Sequence, residues 1–71
     1  MRYSFKPSKS HSPYGTDLVL GDECVGGYWF SVDHPGMVYC YLEREYPGFF
    51  CASERQARSV LVRLDRGSRR K

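Results

Sequence analysis

The apolar positions of this chain change period near residue 53. Before it, short runs rich in aromatic and β-branched residues are bounded by Gly, Pro and Asp. After it, Ala57, Val60, Leu61 and Leu64 recur at the spacing of one helical face. The first half therefore predicts strands and the second a helix. "DLVL" at 17–20 is a short apolar run closed by Gly21-Asp22, and Gly26-Gly27 punctuates the chain before the next run. "YWFSVD" and "MVYCYLE" follow, joined through His34-Pro35-Gly36 as a hairpin, and "YPGFFCA" brings a second Pro-Gly turn and a further run.

The helix has clear end signals. Ser53 followed three residues later by Gln56 has the form of a capping box, and Gly67 is read as the stop. The segment 1–15 is polar and carries two prolines, yet Tyr3 and Phe5 alternate, so it reads as a flexible arm or an edge strand. The expected fold is α+β: a small antiparallel β-meander of three to four strands with one C-terminal helix packed on one face. A single domain would span 16–66, with a basic tail over 67–71.

Register decides which rings turn inward, because side chains alternate faces and opposed residues of an antiparallel pair share a face. A two-residue Pro35-Gly36 loop leaves neither face cleanly apolar. A three-residue loop, His34-Pro35-Gly36 with Gly36 in the left-handed region, sets Val32 opposite Val38, Phe30 opposite Cys40 and Tyr28 opposite Leu42. That places Trp29, Ser31, Asp33, Tyr39, Tyr41 and Glu43 on the face away from the helix, an assignment that any odd loop length preserves.

Charge sharpens the picture. The formal net charge of +3 conceals a divided molecule. Residues 15–52 hold Asp17, Asp22, Glu23, Asp33, Glu43 and Glu45 against Arg44 alone, whereas Arg55, Arg58, Arg63, Arg66, Arg69, Arg70 and Lys71 crowd the last nineteen positions against Glu54 and Asp65. An acid-rimmed sheet repels a phosphate backbone, so its exposed aromatics suit a protein partner with a basic surface, perhaps one that itself handles nucleic acid. The expected docking residues are Trp29, Tyr39 and Tyr41 as anchors, with Asp33, Glu43 and Glu45 steering. The alternative is a nucleic-acid binder whose phosphate contacts are Arg55, Arg58, Arg63, Arg66, Arg69, Arg70 and Lys71. A second copy of the chain is a further candidate partner.

Other chemistry finds little footing. Cys24, Cys40 and Cys51 cannot all pair within one chain and read as buried small hydrophobes; with His34 they lack metal-ligand spacing. His11 and His34 stand in an arm and a turn, away from any nucleophile, and 71 residues leave little room for a closed pocket, so neither catalysis nor a cofactor is expected. No apolar run approaches the ~18–20 residues of a membrane span, and the reading is of an unexported, cytoplasmic protein. In size, lack of catalytic motifs and strand-strand-strand-helix order, the chain is similar in general character to the short accessory proteins of phages and mobile elements, anti-CRISPR proteins among them. That likeness implies an inhibitor or regulator and carries over no residue.

Overall fold

A computed structural model describes residues 2–8, 15–44 and 47–69. Five strands, β1 (Tyr3–Pro7), β2 (Gly15–Leu20), β3 (Glu23–Phe30), β4 (Val38–Leu42) and β5 (Phe49–Cys51), form one antiparallel sheet in sequence order, and helix α1 (Glu54–Arg69) follows. The α+β meander with a C-terminal helix is as the sequence implies, with one strand more than the upper expectation. Tyr3 and Phe5 pair with Leu20 and Leu18, so the alternation in the N-terminal segment marks a true edge strand.

Three local expectations need correction. Gly26-Gly27 lies inside β3 instead of ending a turn, because a bulge between the pairs Leu18–Gly26 and Val19–Cys24 takes up Val25 as an extra residue. Val25 is 1% exposed in the core as a result.

The β3–β4 hairpin is the second. Its connection is 31–37, longer than the three residues expected, and the pairs are Tyr28–Cys40, Trp29–Tyr39 and Phe30–Val38. The register is thus shifted by two residues from the expected Tyr28–Leu42, Phe30–Cys40 and Val32–Val38. Within the loop, the Met37 N–H donates to the His34 carbonyl at 2.9 Å, with Pro35 and Gly36 between them. Gly36 has φ 87°, the left-handed value that a Pro-Gly type II turn demands of its third residue. The Ser31 hydroxyl and backbone tie the rest of the excursion by bonds from the His34 N–H and to the Met37 carbonyl. Val32 accordingly leaves the apolar face and is 93% exposed, and Ser31 and Asp33 belong to the loop, not the strand. Because the connection is still odd in length, the two faces of the sheet stand as expected.

The third correction is the helix end. The helix passes through Gly67 to Arg69, so that part of the expected tail is helical. Its start is as read: the Gln56 N–H donates to Ser53 Oγ at 3.1 Å, while Gln56 Oε1 accepts from the Ala52 N–H at 2.8 Å, one residue earlier than the usual reciprocal bond.

The helix crosses β3, β4 and β5 on one face of the sheet. Ala57 and Leu61 are fully buried there against Leu18, Val25, Tyr28, Val38, Cys40, Leu42 and Cys51. Burial of a side chain such as Leu61 contributes about 1.5–3 kcal/mol. Two polar clusters anchor the helix ends. Near its start, Tyr28 Oη donates to Glu54 Oε2 (2.6 Å) and accepts from Arg58 Nε (2.9 Å), and the Arg58 guanidinium lies over the Phe5 ring at 4.8 Å. Near its end, buried Asp65 accepts from Tyr3 Oη (2.5 Å) and Arg69 Nε (2.7 Å), and Arg69 reaches Glu23 at 3.7 Å.

Candidate functional site

With the helix on one face, the other is built by the outward positions of the strands. The register arranges these in cross-strand rows. Gly15, Trp29, Tyr39 and Phe50 stand side by side across β2, β3, β4 and β5, and Lys6, Asp17, Gly27 and Tyr41 form the next row across β1 to β4. One row is aromatic and its neighbour is charged.

The aromatic side chains touch. Trp29 is 4.7 Å from Tyr39 and 5.4 Å from Tyr41 between ring centroids, and Tyr39 is 5.3 Å from Phe50 in an edge-to-face arrangement. His34, from the hairpin loop, meets the edge of Phe50 at 5.1 Å, extending the cluster beyond the sheet. Such offset and edge contacts are the favoured geometries of aromatic pairs and hold the rings in fixed orientations. Trp29, Tyr39 and Tyr41 are half-buried by one another, and Phe50 is 45% exposed.

Glycine makes this layout possible. A Cβ at Gly27 would stand 2.9 Å from Tyr41 Oη and 2.6 Å from the Thr16 carbonyl oxygen, so the Tyr41 ring occupies the space a side chain on β3 would need. The ring thereby lies across the sheet toward Asp17. Burial, then the charges of Asp17, Cys24 and Glu43, push the Tyr41 phenol up to about 12. Asp17 and Glu43 therefore share one negative neighbourhood with this ring.

Of the expected docking residues, Trp29, Tyr39 and Tyr41 come together on this face. Glu43 follows β4 at the Tyr41 end, and Asp33 lies exposed in the hairpin loop beside His34. Glu45 lies outside the described residues. Sequence reasoning missed Phe50 and Asp17; parity along β5 and β2 would have found both once those strands were registered. Segment 2–8 is spent at the sheet edge as β1, so it does not fold over the rings.

The expected phosphate contacts fare differently. Arg58 and Arg69 are held by the anchoring clusters, and Arg66 lies over the Tyr3 ring at 5.5 Å. Arg55 and Arg63 are exposed, with no hydrogen bond or ion pair among the described residues. Arg70, Lys71 and His11 lie outside the described residues.

The thiols divide. Cys40 and Cys51 are buried beneath the helix, where burial and then the neighbouring Cys51 thiol push Cys40 up to about 12. Cys24 is exposed on the outer face, opposite Val19, contrary to the reading of all three as core. Among the described residues no three His, Cys, Asp or Glu side chains gather as a metal site, and no helix is long and apolar enough to cross a membrane. No family model, curated protein or solved structure matches the chain.

Proposed function

We propose that this chain is a small non-enzymatic binding module that docks the outer face of its sheet on a larger protein and thereby inhibits or regulates it. The observation that carries the reading is the contiguous row of Trp29, Tyr39 and Phe50, with Tyr41 beside it, on the sheet face opposite the helix. Aromatic clusters of this kind supply much of the energy of protein recognition, since each ring brings large area at little entropic cost. The surrounding acids Asp17, Asp33 and Glu43 suit a partner with a basic surface and would speed its approach. Regulation by occupancy needs no catalytic group, and a domain of this size acts most simply by covering another protein's site.

The test is capture of a partner from the native host by the tagged chain, compared with Phe50→Ser and with Trp29→Ala/Tyr41→Ala, each checked for retained fold by circular dichroism. The reading expects a partner held by the parent chain and lost from both folded variants. Undiminished capture by both would remove the outer face as the docking surface.

A further inference from the structure

The two faces of the sheet carry similar groups but differ in one respect. On the helix side, each cluster of ring and carboxylate contains a guanidinium. Arg58 lies over Phe5 at 4.8 Å and bonds both Tyr28 and Glu54; Arg69 bonds Asp65 beside Tyr3, whose ring lies under Arg66 at 5.5 Å. On the outer face, Tyr41 and Trp29 lie 5.4 Å apart with Asp17 and Glu43 acting on the Tyr41 phenol, and among the described residues neither acid is in an ion pair. Lys6 stands opposite Asp17 in the register and makes no ion pair with it.

We propose that the partner supplies the missing cation: an arginine side chain that stacks on the Tyr41 and Trp29 rings and pairs with Asp17 and Glu43. This rests on the docking reading above and names the chemistry of its occupant. Arginine fits better than lysine because a planar guanidinium can cover a ring face while its fork of N–H donors meets a carboxylate at the edge; an ammonium is a compact, strongly hydrated charge that does one or the other. The occupant is therefore an arginine-bearing protein segment. A nucleic-acid strand brings like charge to Asp17 and Glu43 and is disfavoured.

The probes are a blocked peptide of alternating Gly and Arg, its Lys counterpart and its citrulline counterpart, which keeps the arginine shape without the charge. Trp29 is the sole tryptophan, so its fluorescence reports the site directly. The expected result is a saturable response to the Arg peptide, roughly tenfold weaker for Lys and lost for citrulline, as stacked and doubly hydrogen-bonded cations behave. Asp17→Asn/Glu43→Gln should weaken the Arg response by about tenfold, one buried charge contact's worth. Equal responses to Arg and Lys, binding of the citrulline peptide, or indifference to the double variant would each overturn the proposal. Concentration-dependent dimerisation through this face that the Arg peptide does not relieve would overturn it too. A partner captured through Phe50 and Trp29 that the Arg peptide fails to displace would sink this inference alone and leave the docking reading in place.

Discussion

The Tyr3 hydroxyl donates to the Asp65 carboxylate at 2.5 Å, joining the first strand of the sheet to the last turns of the helix across 62 residues. Asp65 is 3% exposed, and Arg69 completes its solvation from within the helix. A buried carboxylate is tolerable only while donors surround it. Tyr3→Phe should therefore lower stability by about 1–2 kcal/mol, the cost of one lost charge-assisted bond. Asp65→Ala, which strands both donors, should cost about 2–3 kcal/mol on the same reasoning. Urea denaturation of the two variants and their combination checks this, and a coupling energy near zero would mean the contact contributes nothing.

Gly27 and Gly36 should respond to alanine for opposite reasons. At Gly27 the new Cβ would meet the Thr16 carbonyl at 2.6 Å and the Tyr41 phenol at 2.9 Å, and the backbone oxygen cannot give way. Overpacking of this kind costs about 1–3 kcal/mol, and displacement of the Tyr41 ring should shift Trp29 emission. At Gly36 nothing lies within 4 Å, and only φ 87° opposes a side chain. Gly36→Ala should cost about 1 kcal/mol and leave Trp29 emission unchanged. A matching spectral shift in both variants would deny that Gly27 positions the ring.

Much of this was legible in the sequence because side-chain parity is robust. A hairpin misregistered by two residues still turns Trp29, Tyr39 and Tyr41 outward, since the strand period is two. Loop length was not legible: the Pro35-Gly36 turn was visible, but Ser31 extends the excursion by bonds that depend on the folded loop. Gly67 failed as a stop signal because the helix end is held by Asp65, Arg69 and Glu23, residues far apart in the chain until the sheet forms. The same non-local contacts drew Arg58, Arg66 and Arg69 out of the free basic set, which charge counting alone could not foresee.

Alkaline pH should weaken the fold through Tyr41. Burial and the nearby acids lift its phenol from 10.0 to about 12, so the folded state holds its proton more tightly than the unfolded chain does. That contribution is fully present below pH 10.0 and is lost as pH rises toward about 12, where the unfolded chain ionises first. Cys40, raised from 9.0 to about 12 by burial and by Cys51, adds to the same decline. The urea midpoint of the parent chain should therefore fall across this window, and Tyr41→Phe should fall less steeply. Parallel curves would show that Tyr41 does not titrate differently in the two states.

The arginines of the helix should separate into structural and free groups. Arg58 bonds the Tyr28 hydroxyl, lies over Phe5 and pairs with Glu54 at 3.3 Å, but that pair is 47% and 44% exposed and solvent screens most of its worth. Its stabilising value then comes from the ring contact and the Tyr28 bond, so Arg58→Ala should cost about 1–2 kcal/mol. Arg63→Ala, at an exposed position without such contacts, should change stability by less than about 0.5 kcal/mol. If Arg55 and Arg63 instead belonged to a phosphate-binding surface, each alanine would reduce the salt dependence of duplex binding by about one unit of slope. The docking reading expects duplex binding that is weak and indifferent to both changes, and an oligonucleotide titration at two salt concentrations, run beside the urea series, decides between them.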